Sequence, residues 1–186
     1  ILQDSRGFLW FGTRDGLSLY DGYGFRVFRH DMNDPGSPAA DFVLSLHESR
    51  DGRIWAGTYK GGLNVFDPAV GTFRSYRNDR DNPASIGMDD VGPIVADGSG
   101  CLWPGFRGGL DCFDPMTETF THYRHDPADN GSLVSDEVLA LHYGGDGILW
   151  VGTRNGLDRF NTASGVFTHY QHDPANPFSK IGRAHV

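Results

Sequence analysis

Five basic and aromatic side chains recur at one place in a repeating pattern. Arg14, Tyr59, Arg107 and Arg154 each follow a Thr or its equivalent in "GTRDG", "GTYKGG", "GFRGG" and "GTRNG", and Lys60 stands beside Tyr59. Guanidinium and ammonium groups donate to carboxylates, sulfates and sugar hydroxyls, and a tyrosine ring offers a face on which a pyranose can stack. Turn positions of this kind also carry ordinary solvated charge. A second recurring set is acidic: Asp41, Asp89 and Asp136 each lie two residues before a valine that opens an apolar run. An arc of carboxylates suits a cation or a polyol. A position repeated so regularly is better explained by a repeated structural task, namely accepting backbone N–H bonds.

Other chemistries fit less well. His122 and His125 in "HYRHD" are three apart on a predicted strand, so they point to opposite faces and do not share an ion. His30, His125 and His172 each precede an Asp, again a structural regularity. No metal and no cofactor is expected. Glycoside cleavage requires two carboxylates in different environments, and the repeated acids are too alike for distinct roles. At the Asp position of the glycosidase Asp-box, five residues before each tryptophan, stand Ser5, Arg50, Gly98 and Gly145. The net charge of −8 opposes a phosphate backbone, which sets nucleic acid aside.

The elements that must position these residues come from the repeat itself. Trp10, Trp55, Trp103 and Trp150 are 45, 48 and 47 residues apart, each in a variant of "ILWVGTRNGLDRF". The period divides the chain into units of about 1–42, 43–90, 91–137 and 138–179, each too small to bury its own apolar face. Within a unit, runs such as "VLALH", "ILWVGT", "GLDRF" and "VFTHYQ" have strand length, β-branched and aromatic content and turn residues at their ends. Asp15-Gly16 and Asn155-Gly156 predict type I′ hairpins, and Asp67-Pro68 and Asp114-Pro115 predict the following turn. In "LWVGT" both alternating sets look apolar, which predicts sheets buried on two faces and hence radial stacking of similar units. The glycine two residues after each tryptophan leaves room for a large side chain to lie across it. From Phe28 to Val43, Tyr76 to Val91 and Tyr123 to Val138 the step is 15 residues, suited to a crossing from an outermost strand to the next innermost one. The turns and these lead-in segments are then expected on one face. Pro104 predicts a bulge or a broken ladder bond in the third unit, and Cys101 and Cys112 are expected as small buried hydrophobes rather than a disulfide.

The pattern Asp-x-x-Gly-x-Leu-Trp-x-Gly-Thr-x-x-Gly-Leu, clearest in "QDSRGFLWFGTRDGL" and "GILWVGTRNGL", resembles the two-component regulator propeller repeat. The resemblance covers about residues 1–179. It implies an all-β fragment of a larger propeller, about four consecutive four-stranded antiparallel blades out of seven. It further implies an extracytoplasmic or periplasmic, non-enzymatic sensor module that recognises an oligosaccharide or similar small ligand. Its partners would be the rest of the propeller and a downstream signalling domain, in a receptor that can be a homodimer. A glycan-processing enzyme and a protein-interaction scaffold are the alternatives. The chain opens partway into a repeat, and the closing "IGRAHV" matches the translation of common sequencing-adapter DNA. Residues 180–186 are therefore expected to be an artefact.

Overall fold

The computed structural model describes residues 1–173, 175, 176 and 179; the tail on which the adapter expectation falls lies outside them. The described residues form four antiparallel sheets, each with its strands in chain order. The first holds β1 (Leu2–Gln3), β2 (Leu9–Thr13), β3 (Gly16–Tyr20) and β4 (Phe25–Phe28). The second holds β5 (Val43–Glu48), β6 (Ile54–Thr58), β7 (Leu63–Asp67) and β8 (Thr72–Tyr76). The third holds β9 (Ile94–Ala96), β10 (Leu102–Phe106), β11 (Gly109–Asp114) and β12 (Thr119–Tyr123). The fourth holds β13 (Val138–Gly145), β14 (Ile148–Thr153), β15 (Gly156–Asn161) and β16 (Val166–Tyr170).

The hairpins between second and third strands are not of type I′. Among the described residues the non-glycine positions with positive φ are Lys60, Glu118 and Asp146, so Asp15 and Asn155 keep negative φ. The left-handed residue is instead Gly16 (φ 110°), one position later, where β3 begins. The Thr before the turn explains this choice. Thr13 Oγ1 accepts the Asp15 N–H at 3.0 Å and donates to the Gly16 carbonyl at 2.8 Å, closing the loop with a side chain. Thr153 does the same around Asn155 and Gly156. In the second sheet the one extra residue is absorbed by Lys60 in the left-handed region (φ 64°). The next turn follows expectation: Asp67 and Asp114 accept the N–H groups of Ala69 and Met116, two residues on, at 2.9 and 2.8 Å.

Sheets pack in pairs within two compact units, residues 1–94 and 95–186. In the first, Trp10, Leu17 and Phe28 of one sheet meet Ile54, Ala56, Phe66 and Phe73 of the next, with Trp10 and Phe66 ring centres 5.4 Å apart. In the second, Trp103 and Leu110 meet Leu149, Val151, Phe160 and Phe167, and Trp103 lies edge-on to Phe160 at 5.5 Å. In these two pairs the repeated tryptophan is thus the packing knob between the sheets. Its indole N–H is satisfied six residues upstream: Trp10 donates to Asp4 at 3.0 Å, Trp55 to Ser49 at 3.1 Å and Trp103 to Asp97 at 2.9 Å. The two thiols are unbonded and pack against the second core, where burial pushes the Cys112 thiol well up.

Two expectations are corrected here. Every residue of β6 and β10 is buried, as two-faced burial requires, but β14, the strand from which that burial was inferred, alternates buried and half-buried residues with Trp150 on the half-buried side. The glycine two residues after the tryptophan does make room for a neighbouring side chain to lie across it. A Cβ on Gly12 would lie 2.7 Å from Val43 Cγ1, so the glycine makes way for the lead valine of the next sheet. Pro104 interrupts the ladder without adding a residue: pairing runs Leu102↔Phe113 and resumes at Gly105↔Leu110 in the same register. In the third sheet the innermost strand begins at Ile94 rather than Val91. Pro93 has no N–H to donate, and Val91 N–H goes instead to the Thr58 carbonyl at 3.0 Å.

Candidate functional site

The 15-residue connections are self-tied loops that deliver the next sheet's first strand beside the Thr-x-x-Gly turn. Asp31 and Ser37 clasp each other through Asp31 N–H to Ser37 Oγ (3.0 Å) and Ser37 Oγ–H to the Asp31 carbonyl (3.0 Å). Asp79 with Ser85, Asp126 with Ser132 and Asp173 with Ser179 repeat the arrangement. The residue before each of the first three clasps ties the loop's far end. The side chains of His30, Asn78 and His125 bond the carbonyls of Pro38, Ile86 and Leu133 at 2.8, 2.7 and 2.6 Å.

Asp41, Asp89 and Asp136 close the same loops. Their Oδ1 atoms accept the backbone N–H groups of His30, Asn78 and His125 at 2.6, 2.7 and 2.6 Å. Asp89 also pairs with Arg77 at 3.2 Å. Backbone bonds then stitch lead-in to turn: Gly16 N–H to Asp41 O (2.9 Å), Tyr59 to Phe42 (2.9 Å), Gly62 to Asp89 (2.8 Å) and Arg154 to Glu137 (3.0 Å). These three carboxylates therefore act on the loop backbone, while the turn side chains stand on a rigid edge.

The structure brings the turn residues together through a neighbour that sequence reasoning missed. In the first unit the Arg14 guanidinium carbon sits 5.3 Å from the ring centre of Phe42, Phe42 lies 5.8 Å from Tyr59, and Lys60 Nζ lies 5.1 Å from Tyr59. Arg14, Phe42, Tyr59 and Lys60 thus form one row, spanning a turn of the first sheet and the lead-in and turn of the second. In the second unit the equivalent of Phe42 is Glu137, held between Arg107 (3.7 Å) and Arg154 (3.0 Å). At the remaining equivalent position Asp90 accepts the Lys60 N–H at 2.8 Å. Phe42, Asp90 and Glu137 follow the constant Asp and precede the constant valine. The available signal was that this position alone changes chemical type between two fixed neighbours.

The histidines serve the sheets. His169 bonds Asp158 at 2.6 Å and the Asn130 carbonyl at 2.7 Å, and Asp158 in turn accepts the Val134 N–H at 2.9 Å. Burial pulls His169 down, but its bonds to Asp158 and Asn130 outweigh this and leave its pKa raised; burial likewise pushes the Asp158 carboxyl up. His122 meets Asp111 at 2.7 Å. Among the described residues no group of His, Cys, Asp and Glu has metal-binding geometry. An open groove of about 740 Å³ runs along β4 and the first connection, lined by Arg26, Phe28, His30, Met32, Thr72 and others, and shares no residue with the Arg14–Lys60 row.

The model of the two-component regulator propeller family matches residues 37–60 and 132–155, each covering a lead-in, first strand and turn. A 37-residue stretch is 49% identical to histidine kinase P4 of Formosa agariphila, covering 20% of this chain and 3% of the kinase. Among solved structures, an extracellular domain assigned to the hybrid two-component system BT3049 of B. thetaiotaomicron superposes with a TM-score of 0.81 and 27% identity, over 92% of this chain and 24% of that one. The corresponding domain of BT4673 gives 0.73 and 26%, over 98% and 23%. The chain therefore spans about a quarter of each extracellular domain it matches.

Proposed function

We propose, from the premise that this chain carries two-component regulator propeller repeats, that it is a ligand-binding part of the sensor region of a two-component-type receptor. The chain is an all-β partial propeller, and it lies outside the cytoplasmic membrane. Its ligand is an oligosaccharide or similar small molecule, taken up on the edge where turns and lead-ins are stitched together. The rest of the propeller and a signalling domain, in a receptor that can pair with itself, complete the machine.

One observation carries the reading: a backbone held by repeated hydrogen bonds presents one chemically variable residue per repeat beside exposed cations. A ligand on the Arg14–Lys60 row touches two successive sheets at once. It therefore favours whichever relative placement of those sheets suits its contacts, and a population shift of that kind is what a receptor transmits. The repeated acids Asp41, Asp89 and Asp136 all engage backbone N–H groups in the same way, which supports binding over glycoside cleavage.

The test is the transcriptional output of the full-length receptor in its host against a panel of extracellular oligosaccharides. Induction by one class, lost when these four repeats are deleted, is expected. Output indifferent to every saccharide, or shortened products released from any of them by this chain, would overturn the proposal.

A further inference from the structure

In the row Arg14, Phe42, Tyr59, Lys60, two cations bracket two aromatic rings. Tyr59 is 43% exposed, and Arg14 and Lys60 are exposed as well. The two cations are also uncommitted: among the described residues neither side chain forms an ion pair. By contrast, Arg29 is held by Asp15, Arg77 by Asp89, and Arg107 and Arg154 by Glu137. A guanidinium resting over a ring in water gains little and yields readily to a charge-assisted bond with an arriving anion.

We propose that this row binds an anionic saccharide, a uronate-bearing or sulfated oligosaccharide. One acidic group pairs with Arg14, a pyranose face lies on Tyr59, and a second acidic group reaches Lys60. The inference rests on the sensory reading above and names its ligand class. An acidic peptide fits less well. An extended chain seeks backbone partners, and the N–H groups here are already engaged: Gly16 with Asp41, Tyr59 with Phe42 and Lys60 with Asp90. What the row offers beyond charge is ring surface, and the Phe42 side chain has no polar atom. The two ends are unequal. Asp90 lies against the Lys60 N–H, while among the described residues no carboxylate pairs with Arg14, so the principal anion sits at the Arg14 end.

The test is calorimetric titration of the 186-residue chain with tetragalacturonate, a heparin-derived tetrasaccharide, neutral cellotetraose and tetraglutamate. Each is run at about 20 mM and about 200 mM salt, since screening weakens pairing with exposed charges. One or both acidic saccharides are expected to bind, with affinity falling at the higher salt and cellotetraose at least about tenfold weaker, the scale of one lost charge-assisted bond. Whether both bind or one alone separates carboxylate from sulfate as the anion. Arg14→Gln should weaken acidic binding by about tenfold. Lys60→Asn, which tolerates the left-handed backbone there, should cost less, and Tyr59→Ala should weaken acidic and neutral sugars alike. Near-UV circular dichroism checks that each variant keeps its packing, and the salt response of the unaltered chain tests the charge claim without any variant.

Equal affinity for cellotetraose, tetraglutamate binding as tight as the saccharides, acidic binding indifferent to salt and to Arg14→Gln, or no binding of either acidic sugar would each overturn the assignment. The sensory proposal stands apart from these outcomes, because it is judged by receptor output.

Discussion

Replacing Asp97 with Ala should destabilise this chain markedly, because one carboxylate holds both a buried indole and the turn before it. The buried Asp97 carboxylate accepts the Trp103 indole N–H at 2.9 Å, the backbone N–H groups of Ser99 (2.8 Å), Gly100 (3.0 Å) and Cys101 (3.2 Å), and the Ser99 hydroxyl at 2.6 Å. Trp103 is only 2% exposed, so its N–H would lose its partner without gaining water. An orphaned buried donor costs roughly 1–3 kcal/mol. The turn N–H groups are better placed to find water and add about 0.5–1 kcal/mol in all. A total near 3 kcal/mol corresponds to a melting temperature lowered by roughly 6–12 °C in a chain of this size. Ser49→Ala is the comparison, since the neutral Ser49 hydroxyl supports Trp55 through one 3.1 Å bond and holds no turn N–H groups, and it should cost about 1–2 kcal/mol. Urea titrations followed by tryptophan fluorescence give both midpoints, and unchanged slopes would confirm that the same surface unfolds. If Asp97→Ala lost no more than Ser49→Ala, the carboxylate clasp would not be what holds the packing knob in place.

Gly12→Ala should cost about 1–3 kcal/mol, because the new methyl would meet Val43 Cγ1 at 2.7 Å, whereas Gly24→Ala, with nothing within 4 Å, should be within about 0.5 kcal/mol of the parent; equal midpoints in urea would refute the contact. The His169–Asp158 pair sets a pH dependence. His169 has a folded pKa raised above its unfolded value, so its contribution is complete below about pH 6.5 and is lost as pH rises through the folded value. The difference in urea midpoint between the parent and His169→Gln should therefore shrink from about pH 5.5 to about pH 8.5. Glu137→Gln should change stability by less than about 1 kcal/mol, because the Arg107 and Arg154 side chains it holds are 83% and 72% exposed; a larger loss on thermal unfolding would show that the clamp supports the fold.

What could be read ahead of the structure was whatever repeats. The strands follow from the recurring tryptophan segment, and the shared edge follows from the order in which short hairpins must alternate. Errors arose where a local rule met a tertiary neighbour. Asp15-Gly16 looks like a type I′ pair, but the Thr13 hydroxyl closes the turn one residue earlier and leaves Gly16 to open the strand. That Gly12 clears space for a neighbour was legible, but nothing local says that the neighbour is Val43, thirty-one positions on. The start of the third sheet slipped because Pro93 withholds a donor that a pattern of apolar residues does not weigh. Phe42 and Glu137 escaped notice for the opposite reason. A search for repeated residues passes over the one position whose task is to differ.

The clasped connections have an evolutionary consequence. Because Asp31–Ser37 and its counterparts fix each loop by bonds within itself, changing the half-buried side chain at the loop's exit leaves those clasps intact. Inserting a residue between the tied points would break several at once. Such a scaffold can explore new tastes by single-letter spelling changes at Phe42, Asp90 and Glu137, while its length stays frozen.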